Sequence, residues 1–216
     1  MRVPRKTQKR NIQRKGKGAA SAGKKGTSFS AKAPIPYPED LQGLIAFHGH
    51  LCPGLLIGYR ATLLGLKRLK VKAAQDEELI SIVENKSCSV DAVQFLASCT
   101  FGKGNLFYRP YGKQVFTFAR RPSGEAVRIA LRAEAEEGMP QERRARRWKF
   151  TARLLSAKDG DLFKARRLTI TLPSPAQVFP SPPCQDCGEP VMETAARMAH
   201  GKLLCQPCFE ARTPEG

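Results

Sequence analysis

Between residues 53 and 69, large apolar side chains recur at Leu55, Leu56, Tyr59, Leu63, Leu66 and Leu69, which is the spacing of one broad helical face. Pro53 suits the first position of that helix. Gly54, Gly58 and Gly65 weaken helix propensity, so they predict close packing against another backbone. A shorter helix is expected over 38–47, where Pro38 is followed by Glu39 and Asp40. LISIVE (79–84) reads as a buried strand, and SVDAVQFLASC (89–99) as a helix capped by Ser87 or Ser89. GKGN (102–105) is a turn that leads into a strand. Residues 114–120 and 125–132 alternate as two strands, and RPSG between them makes a hairpin. Residues 140–156 form an amphipathic helix with Ala145, Trp148, Ala152 and Leu155 on one side and Trp148 turned inward. A last strand is expected over 166–172.

Helices and hairpin strands mixed in this order predict an α+β fold: an antiparallel sheet packed with helices, followed by a small treble-clef or zinc-ribbon module. The expected divisions are a disordered basic tail over 1–36, a core domain over 37–172, a linker with five prolines over 173–183, and a four-cysteine module over 184–212.

Charge sharpens this picture. Of 37 Lys and Arg, 11 fall within 1–36, a stretch without Asp or Glu, while the remaining residues hold 26 basic and 19 acidic groups. The formal charge of +18 is therefore mainly a property of the tail. Such a segment buries too little apolar surface to order alone and suits either a nucleic-acid-binding arm or a solvated tail. The basic helix 140–156 reads as a solvated surface, a subunit interface or an anionic membrane contact. No apolar run reaches membrane-spanning length, and mean hydropathy is −0.38, so membrane insertion is not expected. A secretory signal is not expected either, and the location expected is cytoplasmic.

Cysteine spacing carries the strongest chemical signal. Cys184 and Cys187, then Cys205 and Cys208, give C-x2-C, seventeen residues, C-x2-C, the pattern of a structural four-thiolate zinc site. Gly188 lets the backbone fold back after the first pair. The order of elements resembles a treble clef or zinc ribbon of the TraR/DksA type. A module this small depends on its metal for folding, and His200 lies between the pairs as a surface residue.

FHGHLCPG (47–54) carries the second signal. His48, His50 and Cys52 cluster at the mouth of the long helix, where unsatisfied N–H groups favour a thiolate. A transition-metal site, zinc or iron, is the preferred reading. A Cys–His catalytic pair and a buried polar turn are the alternatives, and no catalytic residue is assigned. Cys88 stands at the start of the next helix and Cys99 at its far end, too far apart for one ion if that helix is continuous. Asp91 either fixes a histidine tautomer or supplies a favourable N-terminal charge. GKG fails the phosphate-loop pattern, so Lys103 reads as part of a plain turn or lies near an anion.

FHGHLCPGLLIGYRA, SCSVDAVQFLASCTFGKGNL and YGKQVFTF, in that order, resemble the FmdE family of formylmethanofuran dehydrogenase proteins over about residues 40–212. The resemblance implies an α+β core with a site near HGHLC formed by His48, His50, Cys52, Cys88, Asp91, Cys99 and Lys103, and an auxiliary zinc finger. Ser98 departs from the pattern, which has Gly before the cysteine. The role implied is a non-catalytic subunit or accessory protein of a molybdenum- or tungsten-dependent oxidoreductase, with oxidoreductase subunits as partners or a homodimer as the assembly. No pterin-binding signature or ferredoxin-type cysteine run is evident. The alternative is a nucleic-acid-binding zinc-finger regulator acting through residues 1–36.

Overall fold

The computed structural model describes residues 37–213. The expected disordered tail, 1–36, lies outside the described residues. The core runs α1 (Glu39–His48), α2 (Pro53–Leu69), β1 (Leu79–Val83), α3 (Ser89–Ala97), β2 (Leu106–Tyr108), β3 (Val115–Arg120), β4 (Glu125–Leu131), α4 (Arg143–Ser156), α5 (Asp159–Leu162) and β5 (Phe163–Thr169). The C-terminal elements are β6 (Arg197–Ala199), β7 (Lys202–Leu204) and α6 (Gln206–Arg212).

The fold is α+β. Five strands in the order β2-β1-β3-β4-β5 make one sheet, antiparallel except for β1 and β2. That pair is parallel because α3 lies between its strands in the chain and returns it to the same direction. Leu79, Val83, Phe116, Phe118, Val127 and Ile129 from the sheet join Leu55, Leu56 and Leu64 of α2 in the main core. The opposite face of the sheet holds a smaller cluster of Ile80, Ala119 and Ala126.

Helix α2 is buried on most sides, unlike the single face expected of it. Leu64 is buried, whereas Leu63 is 37% exposed. Its glycines explain how neighbours come so close. A Cβ at Gly58 would lie 2.1 Å from the Ser89 carbonyl oxygen, and one at Gly65 would lie 2.3 Å from the Phe118 ring.

Helix α4 corrects the expected orientation. Phe150 and Leu154 are buried, while Trp148 is 78% exposed. Residues two apart on a helix point to opposite sides, so burial of Phe150 turns Trp148 outward. Arg60 of α2 selects this face. Its guanidinium donates to the carbonyls of Leu154 (2.6 Å) and Ala157 (2.8 Å) and to Asp159 Oδ1 (2.6 Å), satisfying the open end of α4. The helix starts at Arg143, later than expected, because the Glu142 side chain accepts from the Arg144 and Ala145 N–H groups.

The last core strand begins earlier than expected, at Phe163, which pairs with Leu131. Beyond it the proline-rich stretch lies against the core, with the Ala176 N–H 3.1 Å from both Glu77 carboxylate oxygens. Neither serine caps α3 by its side chain. Cys88 occupies the cap position, and the Ser87 and Ser89 hydroxyls bond Asn85 Oδ1 instead. Helix α3 ends at Ser98, whose φ of +51° lies in the left-handed region that favours glycine.

Two substitutions test this packing by urea titration. Gly58→Ala should lower the unfolding free energy by about 2 kcal/mol, from about 3 of overpacking less about 1 regained in helix propensity. Ser98→Gly should raise it by about 1 kcal/mol by relieving the left-handed backbone.

Candidate metal centre

Three helix ends converge on the HGHLC loop. Gly49 stops α1 with φ +92°, its N–H bonding the Ile45 carbonyl at 2.8 Å, and this leaves His48 on the last helical turn. Cys52 is the N-cap of α2, and its sulfur accepts the Leu55 N–H at 3.4 Å. Asp91 stands in the first turn of α3. The α2–α3 contact at Gly58 aligns the heads of those two helices, so Asp91 Oδ2 lies 2.7 Å from His48 Nδ1.

That hydrogen bond orders the rest of the cluster. A carboxylate accepting from Nδ1 puts the imidazole proton there and leaves Nε2 with a free lone pair. Nε2 lies 4.0 Å from Cys52 Sγ. A tetrahedral zinc ion with ordinary bond lengths would hold its nitrogen and sulfur ligands about 3.6 Å apart, so the pair is only slightly wider than a bound ion requires. The His50 ring is 4.6 Å from that of His48, and one donor atom each from His48, His50 and Cys52 fall within 4.8 Å of one another. Cys52 is buried and His50 exposed, so the cluster spans from the core to the surface. The donor set of two imidazoles and one thiol fits a borderline-soft divalent metal.

Cys88 lies beside this trio, outside its mutual donor range. A Cβ at Gly54 would sit 3.9 Å from both the Cys52 and Cys88 sulfurs, so glycine leaves the space they share. Burial first, then a hydrogen bond to Cys52, holds the Cys88 thiol above its ordinary pKa.

Cys99 and Lys103 are not brought to the loop. Helix α3 separates them from it by about 13 Å, nine residues of helical rise. Cys99 is fully buried with its sulfur 3.5 Å from the Leu79 carbonyl, and burial pushes its thiol up to about 11. Lys103 Nζ donates to the Ala74 carbonyl at 3.2 Å. Arg147 carries no signal in the sequence, yet its guanidinium reaches the Leu51 carbonyl at 3.3 Å. No local pattern marks a contact made across 96 residues. Phe47 and Phe95 also meet beside the loop, with ring centres 5.7 Å apart.

The four C-terminal cysteines form a second cluster, their sulfurs all within 4.8 Å of one another. Cys187 Sγ and Cys205 Sγ are 3.8 Å apart, matching the about 3.8 Å edge of a zinc–thiolate tetrahedron. Gly188, at φ +77°, lets its N–H turn back to the Cys184 carbonyl. Backbone N–H groups of Cys187, Cys205 and Asp186 lower the Cys184 thiol to about 6. The Cys208 thiol, hydrogen-bonded to Cys205 and its neighbours, is pushed up to about 12. Four sulfurs at these separations are the donor set of a tetrahedral divalent ion. Asp186 braces the module through Arg212 and Lys202, and His200 is exposed in the β6–β7 turn.

A family model described as FmdE, molybdenum formylmethanofuran dehydrogenase operon, matches residues 47–169. A curated relative from Archaeoglobus fulgidus, named a probable S-adenosyl-L-methionine-binding protein, is 28% identical over 187 residues. That match covers 75% of this chain and 50% of the relative, so the chain spans half of that protein's length. A tungsten formylmethanofuran dehydrogenase FmdE-like protein from Syntrophus aciditrophicus has the same fold. Its TM-score is 0.62 at 24% identity, over 82% of this chain and 92% of that one.

Thiol labelling tests the placement of Cys99. In the native protein at pH 8, iodoacetamide should modify Cys99 only as fast as the molecule unfolds, and mass spectrometry of timed samples would show the lag. Prompt labelling of Cys99 would contradict the burial described.

Proposed function

The chain belongs to the FmdE family, and on that premise we propose that it is a metal-binding accessory protein with an ion held at the HGHLC loop. The observation that carries this reading is the 2.7 Å contact between Asp91 and His48, which leaves His48 Nε2 facing Cys52 Sγ. His48, His50 and Cys52 serve as ligands, with Cys88 beside them as a fourth donor or a hydrogen-bond partner of the bound sulfur. Zinc and iron both suit the set. When bound, such an ion supplies Lewis-acid character at an exposed position. Asp91 keeps the His48 proton on Nδ1 and stops the ring from turning. Cys52, anchored by the Leu55 N–H, keeps its sulfur aimed at the same point.

Residues 184–212 form a separate structural zinc finger of the treble-clef or ribbon kind, akin to TraR/DksA modules, and residues 173–183 join it to the 37–172 core. The partners are oxidoreductase subunits of molybdenum- or tungsten-dependent metabolism. The family's description and the name of the Syntrophus aciditrophicus protein support that link. The chain would act there as a non-catalytic component, and a cytoplasmic location follows from that role. The alternative, a regulator that binds nucleic acid through residues 1–36, concerns a segment outside the described residues. Among the described residues, no helix is long and apolar enough to cross a membrane.

Elemental analysis of purified protein tests the two-site reading. Wild type should carry two metal equivalents, Cys52→Ala should lose one, and Cys184→Ala should lose the other. Asp91→Asn should retain the fold but weaken the core site about 10- to 100-fold, read by competition with a chromogenic chelator. A single equivalent, lost only in Cys184→Ala, would reduce HGHLC to a structural turn.

A further inference from the structure

The side chains on the outer face of the sheet do not fit a purely structural role. Along β4 and β5, Arg128 stands directly opposite Arg166, and Lys164 lies two pairs along, on the same face, opposite Ala130. Like charges placed opposite each other on antiparallel strands repel, so stability alone disfavours this arrangement. Glu84 offsets part of it at 3.1 Å from Arg128. Lys164 and Arg166 have no acidic partner among the described residues.

These cations line a continuous basic surface. Arg128, Lys164 and Arg166 enclose a hollow of about 230 Å³. Arg128 also lines an adjoining open hollow of about 570 Å³ with Lys113, Gln114, Arg132 and Glu136. The one carboxylate in that larger hollow, Glu136, is engaged by Arg146. At the Lys113 end stands Tyr111, 59% exposed, its ring centre 5.9 Å from Lys113 Nζ.

We propose that this outer face binds single-stranded nucleic acid, the Arg128–Lys164–Arg166 cluster holding the phosphate backbone and Tyr111 stacking on a base. The cations come from a loop and two strands and sit along an open surface about 10 Å across, two strand spacings. That layout follows a repeating anion and does not engulf a single one. An exposed aromatic ring at its end adds a contact that duplex or peptide partners do not use in the same way. Outside residues 1–36 the 26 basic groups still exceed the 19 acidic ones, which favours the approach of any such polyanion. The inference is independent of the metal reading, since no residue of the HGHLC loop takes part.

Fluorescence anisotropy of a labelled 20-nucleotide oligothymidylate tests it, using the full chain over a range of salt. The double variant Lys164→Gln/Arg166→Gln removes two exposed charges from an edge strand and should stay folded by circular dichroism. Its affinity should fall about tenfold, and the slope of log K against log salt should flatten by about 1.4, two phosphate contacts. Tyr111→Ala should weaken binding about tenfold. The control Arg143→Gln/Arg144→Gln removes the same charge from α4 and should change affinity less than twofold. Equal losses in the sheet and α4 variants would overturn the proposal. So would polyglutamate competing as well as unlabelled oligonucleotide, which would mark a surface for acidic protein. A second measurement needs no variant. Photocrosslinking with a 4-thiothymidine oligonucleotide should label peptides containing Tyr111 and residues 163–168. Labels confined to residues 1–36 or to α4 would contradict it.

Discussion

The close approach of α2 to α3 sets the rest of the site. With only hydrogen on Gly58, the Ser89 carbonyl comes nearer than any side chain would permit, and the heads of the two helices lie side by side. Cys52 and Cys88 occupy equivalent cap positions there, so two sulfurs share one small space. The same alignment carries Asp91 within reach of His48, which α1 delivers from the other direction. The loop between α1 and α2 can then be short, because the helices it joins are held by their own packing. The placement of these side chains is a consequence of helix packing.

Much of this was legible in the sequence where short-range chemistry decides. Pro53 announced the start of α2, the glycines of α2 announced close contact, and the cysteine spacing announced two facing pairs. Asp91 was legible for the same reason, being three residues beyond a cysteine at a helix start. What was not legible depended on distant partners. Six cations surround α4, and the apolar side expected from Trp148 is not the one that Phe150 and Leu154 bury. The choice is made by Arg60, 94 residues before Leu154, through two carbonyls at the end of the helix. Cys99 and Lys103 share motifs with the site residues, yet each secures backbone at the far end of α3. Ser98 sits between these cases. Glycine was expected there from the resemblance, and the left-handed backbone gives that expectation a physical reason.

The two cysteine clusters differ in how they relate to the fold. The loop cluster is assembled by helices that have their own apolar core, so its donors are held together before any ion arrives. The C-terminal sulfurs are gathered by turns and two three-residue strands, with little buried surface between them. An ion bound there would contribute folding energy, whereas one bound at the loop would meet a preformed set of donors. Charge divides the molecule in a third way. The outer sheet face concentrates cations that helix-side packing does not need, and it lies apart from the imidazoles.

The central claim is that His48 is held in one tautomer with its outer nitrogen aimed at an ion. Long-range proton–nitrogen correlation spectra of the metal-free protein measure this directly. The account predicts that Nδ1 carries the proton, that Nε2 is bare, and that adding zinc shifts the Nε2 resonance strongly while leaving Nδ1–H in place. A proton found on Nε2, or an Nε2 resonance indifferent to zinc, would contradict it.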